Sequence, residues 1–202
     1  MCVDWWETAN LPPAAAPFTT VANWKHKGKD VTWNGELWRW SKHYAFRKCM
    51  GLAEKAPLPM EMALGSISDR EIAELRRRGW RVRGSEGLSD PDEYRRYIQN
   101  SLGEFTVAKD QYVRPLSGWF SDRSVCYLAA GRPVVTQDTA FGKKIPTGEG
   151  LFAFRTEDDA AAALQAIASD YPRHAKAARE IAREYFGVDH VLREMLESAG
   201  LL

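Results

Sequence analysis

Apolar and polar positions along the chain follow two alternating periods. Short apolar or β-branched runs at Thr19 to Asn23, Met60 to Leu64, Trp80 to Arg83, Phe105 to Ala108, Pro133 to Val135 and Leu151 to Phe154 predict strands. Between them lie helical stripes with recognisable ends. Gly35 to Leu52 places Leu37, Trp40 or Ser41, Tyr44 and Ala45 on one side, which predicts a first helix. Ser68-Asp69-Arg70-Glu71 has the spacing of a capping box ahead of Ile72 and Leu75, and Gly79 is its stop. Asp90-Pro91-Asp92-Glu93 repeats that grammar ahead of Tyr94, Tyr97 and Ile98. Ser121 precedes Val125, Leu128 and Ala129, with Gly131 in the position that ends a helix. Thr156 with Asp159 opens an alanine-rich helix that runs to Ser169 and is broken by Pro172. Two further stripes, Ala175 to Tyr185 and Val191 to Leu196, flank Gly187.

Strands alternating with helices from 19 to 169 predict an α/β fold: a Rossmann-like, doubly wound parallel sheet of about six strands with right-handed crossovers and a C-terminal helical tail. Residues 18–172 form the predicted sheet domain, and 173–202 the tail. Residues 1–17, with Pro12, Pro13, Pro17 and an alanine run, read as an extended lead-in or linker on which Trp5 and Trp6 dock.

Composition narrows the function classes. The 202 residues are 45% hydrophobic, enough for a substantial core, and 28 basic residues against 27 acidic ones leave a net charge of +1. Nothing in that balance favours nucleic acid or an acidic membrane surface, so any anion binding is local. Cys2, Cys49 and Cys126 are widely spaced and odd in number, which argues against a disulfide framework and a zinc site. Without a leader-like start or a long apolar run, a cytoplasmic location with no transmembrane segment is expected. Five of the eight tryptophans fall within the first 38 residues, a density suited to core anchors or to a partner surface.

The stretch Ser117 to Asp138, SGWFSDRSVCYLAAGRPVVTQD, is the expected binding element. A helix starting at Ser121 directs the amides of Asp122, Arg123 and Ser124 outward, beside strand ends, where an anion is favoured. In a doubly wound sheet the loop after the first strand, Asn23-Trp24-Lys25-His26-Lys27-Gly28-Lys29, borders the same crevice. Lys25 and Lys27 across from Ser121, Asp122, Arg123 and Ser124 form the expected diphosphate site. Lys109 and Arg114 are further crevice cations.

Other motifs exclude more than they include. No G-x-G-x-x-G follows the first strand, and Gly142-Lys143-Lys144 lacks the rest of a P-loop, so neither NAD nor a P-loop nucleotide is expected. The D-x-D at Asp90 to Asp92 reads as a helix cap; no metal and no cofactor are expected. His26 reads as a solvated turn residue and Cys126 as a buried thiol.

The segment Gly118 to Asp138 resembles the penultimate βα unit in the carboxyl-terminal domain of retaining GT-B fold glycosyltransferases, which reads roughly E-G-F-G-x-x-x-x-E-A-M-A-C-G-x-P-V-V-A-x-D. Shared are Phe120, Ala129-Ala130-Gly131, Pro133-Val134-Val135 and Asp138, and Glu149-Gly150-Leu151 matches the later glycine and strand. The resemblance covers about residues 18 to 200 and implies one half of a GT-B fold. It also implies binding of a nucleotide-diphosphate sugar for metal-independent glycosyl transfer, with Asn23, Phe120, Asp138, Thr139 and Gly150 near the cleft. The family's two glutamates fall at Gly118 and Cys126, so this chain resembles a divergent member without that pair. An N-terminal acceptor domain is implied too, which residues 1–17 cannot supply; the chain is then a fragment, or a partner chain completes it. The alternative is a non-catalytic partner-binding or assembly module of GT-B descent, self-associating through the C-terminal helices.

Overall fold

The computed structural model describes residues 1–6, 11–13 and 15–202. Along the chain run β1 (Phe18–Asn23), β2 (Val31–Trp33), β3 (Glu36–Trp38), α1 (His43–Arg47), α2 (Leu52–Lys55), β4 (Met60–Gly65), α3 (Asp69–Arg77) and β5 (Arg81–Gly84). There follow α4 (Pro91–Gln99), β6 (Gly103–Thr106), α5 (Asp110–Val113), α6 (Asp122–Ala129), β7 (Val134–Gln137), β8 (Leu151–Phe154), α7 (Glu157–Ser169), α8 (Tyr171–Phe186) and α9 (Val188–Ser198). Six strands form one parallel sheet in the order β5-β4-β1-β6-β7-β8. The strand order reverses between β1 and β6, the two central strands. No described helix is long and apolar enough to cross a membrane.

Strand pleating divides the core between two layers. Successive residues of β7 point to opposite faces, so Val135 joins Phe18, Phe46, Met62, Phe105 and Leu164, while Val134 joins Ile98, Tyr127, Leu128, Leu151 and Ile181. Both layers are continuous, which is why the strands read as unbroken apolar runs.

Helix ends follow the sequence grammar closely. Asp90 accepts from the amides of Asp92 and Glu93, each at 2.9 Å, so the D-x-D carboxylate caps α4. Thr156 and Asp159 bond reciprocally at the start of α7. Gly131 closes α6 at φ +67°, with the Arg132 amide donating back to the Tyr127 carbonyl at 2.8 Å. The break before the tail falls at Asp170, which caps α8; Pro172 sits in that helix's first turn, where its missing amide costs nothing.

One predicted helix is overturned. Where a helix over Gly35 to Leu52 was expected, the structure has the antiparallel hairpin β2–β3, and helical structure begins only at His43. Asn34 at φ +51° and Gly35 at φ +77° take the two left-handed positions of a primed two-residue turn, and Asn-Gly between Val-Thr-Trp and Glu-Leu-Trp is the sequence signal for it.

The amino-terminal segment is also not simply extended. Val3–Trp6 forms a 3-10 turn, Val3 is buried in the α6–α8 layer, and Trp6 packs edge-on against Tyr94. The Met1 amine donates to the Phe186 carbonyl at 2.7 Å. Residues 7–10 and 14 of the expected lead-in lie outside the described residues. Of the tail, α8 packs on α6 through Ala178 and Ala182, whereas α9 buries none of its residues and exposes Leu192, Met195 and Leu196.

Gly150, expected near the cleft, instead lets β8 approach α8. A Cβ at Gly150 would lie 2.3 Å from the Ala178 amide nitrogen, and its φ is +69°. Gly150→Ala is therefore expected to destabilise the fold by at least about 2 kcal/mol, read as a lowered midpoint in urea. An unchanged midpoint would contradict that packing.

Candidate functional site

A crevice of about 500 Å³ opens at the carboxyl ends of β1 and β6, where the strand order reverses. Open α/β sheets bind ligands at this position because the two adjoining loops depart to opposite faces. Val21, Ala22 and Asn23 form its floor, Ser121 and Arg123 bring in the start of α6, and Lys109 and Tyr112 come from the start of α5. Ser85, Leu88 and Ser89 close one side, and His26, Lys42 and Trp119 another.

Arg123 holds the crevice together. Its guanidinium donates to Glu104 on β6 at 2.5 Å, to the Val21 carbonyl on β1 at 2.7 Å and to Thr106 Oγ1 at 2.8 Å. Glu104 is fully buried, so this contact supplies the counter-charge that the carboxylate needs. The guanidinium is thereby spent on the protein's own groups.

Other cations are not spent. Lys42, half-buried at the start of α1, makes no ion pair among the described residues, and neither does Lys109. Burial, with the positive charge of Arg123 next in importance, lowers the Lys42 ammonium to about 7. Desolvation also lowers Lys109, reinforced by Lys29, and lowers His26, reinforced by Lys109, Lys29 and Lys42. The described lining contains no carboxylate. Aromatic rings shelter the charges: Lys109 lies 3.5 Å from the Trp40 ring centre, Lys42 lies 5.7 Å from that of Trp119, and Tyr112 stacks on Trp119 at 4.6 Å. Ser41 fixes the approach of Lys42, accepting from the His26 amide at 3.0 Å and donating to the Trp24 carbonyl.

Of the residues expected from sequence, Asn23, Ser121, Arg123 and Lys109 line the crevice. Ser121 occupies the N-cap position of α6, but its side chain makes no capping bond. Asp122 is exposed in the helix's first turn, and Ser124 is buried with its hydroxyl unpartnered. Lys25 is elsewhere: it pairs with Glu71 at 2.9 Å, and Glu71 also accepts from Trp24 Nε1 and Arg47. Burial opposes the charge on Glu71, but the bonds from Lys25, Ser68 and Trp24 outweigh it and hold the carboxyl well below its usual range. Lys27 is exposed and does not line the crevice. Arg114 serves the hairpin, pairing with Glu36 at 3.0 Å and lying over Trp38.

Phe120 packs between Phe141 and Phe186. Asp138 accepts from the Ala140 amide and pairs with Arg155; Thr139 donates to the Trp119 carbonyl at 2.6 Å, steadying the ring that faces Lys42. Gly118 stands at φ +75°, and Cys126 is buried, its thiol pushed up to about 12 by burial and then by Glu104. Sequence reading missed Lys42, Tyr112 and Trp119 as lining residues. Lys42 was hidden inside the helix wrongly expected from Gly35.

No family model matches the chain, and no curated protein matches it by sequence. Solved structures do match it by shape. TarM superimposes with a TM-score of 0.58 at 12% identity, over 95% of this chain and 36% of TarM. The fold is one half of a GT-B fold. The pneumococcal O-GlcNAc transferase GtfA, in complex with UDP and GlcNAc, gives 0.55 at 12% identity over 93% of this chain and 36% of GtfA. Anabaena Alr3699/HepE, in complex with UDP and glucose, gives 0.55 at 14% identity over all of this chain and 55% of HepE. The chain thus spans from about a third to just over half the length of these structures, and at such identities the likeness is one of fold.

The lowered Lys42 ammonium has a direct chemical readout. Trace acylation across pH 6 to 9 should show Lys42 gaining reactivity with a midpoint near 7, because the neutral amine is the nucleophile. Reactivity that is still rising without a plateau at pH 9, as for an ordinary lysine of about 10.4, would contradict the electrostatics described.

Proposed function

We propose that the chain is the donor-binding domain of a glycosyltransferase, holding a nucleotide-diphosphate sugar in the switch-point crevice for metal-independent glycosyl transfer. One observation carries this reading: Lys42, Lys109 and His26 converge at the start of α6 with no carboxylate in the described lining to neutralise them. Desolvation and mutual repulsion lower the pKa of all three groups, and an anion that restores their charge is the partner such a cluster favours. The fold likeness to GtfA and HepE supports the same conclusion.

In this reading Lys42 and Lys109 grip the diphosphate, with the amides at the start of α6 alongside. Charge builds on the diphosphate as the glycosidic bond to the sugar breaks, so contacts fixed beforehand stabilise the departing group without a metal ion. Asn23, Ser85 and Ser89 offer hydrogen bonds to sugar hydroxyls, and the stacked Tyr112–Trp119 pair offers a flat apolar wall. No carboxylate in the described lining serves as a general base. Acceptor binding falls to a further domain or partner chain.

A second reading, an assembly module without chemistry, is favoured by the exposed Leu192, Met195 and Leu196 of α9. Calorimetry with UDP-, GDP- and TDP-sugars separates the two. At least one should bind, and Lys42→Gln should weaken it about tenfold or more while leaving nucleoside affinity unchanged, as loss of a charge-assisted contact of about 1.5–3 kcal/mol requires. The sign with pH follows from Lys42: cationic below about 7 and neutral above, it makes wild-type affinity fall as pH rises from 6 to 8. A sugar nucleotide's own diphosphate does not titrate there, so the Lys42→Gln profile should be flatter. Failure of every donor to bind at millimolar concentration, with self-association that Met195→Glu abolishes, would favour the assembly reading.

A further inference from the structure

The carboxyl-terminal rim of the sheet divides the crevice into two chemical halves. The order β5-β4-β1-β6 sets Ser85, directly after β5, beside Gly65 at the end of β4 and Asn23 at the end of β1, with Lys109 following β6. Neutral polar side chains line one half, and Lys109 with the start of α6 lines the other. From β5 to β6 the rim crosses three strand spacings, about 14 Å. A diphosphate is much shorter than that, so a ligand that uses both halves carries a neutral body attached to its anion.

Gly65 shapes the neutral half. It is the register partner of Asn23 across β1 and β4, and its carbonyl accepts the Trp24 amide at 2.8 Å, so this stretch of backbone is held in place. A Cβ built on Gly65 would lie 2.6 Å from Asn23 Oδ1 and 3.1 Å from Ser85 Oγ. Both side chains occupy the space that the missing methyl leaves. Both also line the crevice and keep access to solvent, and neither hydrogen-bonds another described side chain or backbone group. A carboxamide and a hydroxyl side by side offer donors and acceptors without charge, which suits the hydroxyl groups of a ligand. Gly65 does not take a left-handed φ, so backbone freedom is not what requires glycine here; the close approach of two side chains is.

We infer that Gly65 is a positioning residue: by carrying no side chain it lets Asn23 and Ser85 close over the end of β4 and present one paired shelf to the neutral, hydroxyl-bearing part of the crevice ligand. Gly65 itself touches no ligand and acts through the two side chains above it. Lys42 and Lys109 hold the anion, and the shelf selects what is attached to it. This role rests on the donor-binding reading, in which the neutral part belongs to a sugar nucleotide. A methyl at position 65 meets only the ends of flexible side chains, so it displaces the shelf and leaves the sheet intact.

Calorimetry on the full chain, with pyrophosphate and with UDP-, GDP- and TDP-sugars at one fixed pH, separates the two halves. Gly65→Ala should weaken the sugar nucleotide that the wild type binds by about tenfold, the effect of two displaced neutral hydrogen bonds. Its pyrophosphate affinity and thermal midpoint should stay unchanged, whereas Lys42→Gln should weaken both ligands. Added to a variant that already carries Asn23→Ala and Ser85→Ala, Gly65→Ala should cost almost no further donor affinity, because the groups through which it acts are gone. Unaltered donor binding by Gly65→Ala, an equal loss for pyrophosphate, or a full tenfold loss in the triple variant would overturn the inference. So would a wild type that binds a donor but not pyrophosphate, since the anion half would then not act alone. If no sugar nucleotide binds the wild type, the donor reading falls and this role with it; donor binding that Gly65→Ala leaves untouched removes this role alone.

Discussion

Where β1 and β6 part company, a carboxylate and a guanidinium meet. Glu104 is buried at the centre of the sheet, and Arg123 reaches it from the first turn of α6 while also holding the Val21 carbonyl and Thr106. Parallel strands on either side of a switch point lack a connecting loop to hold their ends together, and this contact supplies the tie. Removing one partner from such a buried pair costs about 3–5 kcal/mol, because the other charge is left stranded. The tie also orients α6, and with it the helix start that borders the crevice.

That tie sets the electrostatics of the site. With Arg123 committed to Glu104, anion recognition passes to cations that come from the loops, and the positive charge of Arg123 makes the nearest of them, Lys42, easier to deprotonate. Glu71 acts in a similar way beyond the crevice, consuming Lys25 together with Trp24 Nε1 and Arg47. The crevice is left with cations that are partly desolvated, unpaired within the described residues and ringed by Trp40, Tyr112 and Trp119. A cleft arranged in this way favours an anion, which restores the charge that desolvation removes.

Much of the fold was legible in the chain because its signals are local. Apolar runs marked the strands of the sheet, and Asp90, Thr156 and Gly131 marked helix ends through bonds spanning only a few residues. Locating the crevice between the first strand and the helix at Ser121 also followed from order alone. Assigning its cations did not, since a lysine's availability depends on which distant carboxylate reaches it first, as Glu71 does Lys25 and Glu104 does Arg123. The hairpin was missed for another reason: Leu37, Trp40 and Tyr44 fit a helical stripe, but the Asn34-Gly35 pair outweighs it, because two successive left-handed residues suit a tight hairpin and no helix. That single misreading concealed both Lys42 and the apolar face of Val31, Trp33 and Trp38.

The central claim is that a sugar nucleotide's diphosphate sits between the start of α6 and Lys42. Backbone amide shifts, followed by heteronuclear NMR as a UDP-sugar is added, address it most directly. The account predicts saturable shifts concentrated at Asn23, Lys42, Lys109 and the amides of Asp122, Arg123 and Ser124, with Lys25 and Lys27 little changed. Shifts centred instead on Lys25 and Glu71, or none at saturating ligand, would contradict it.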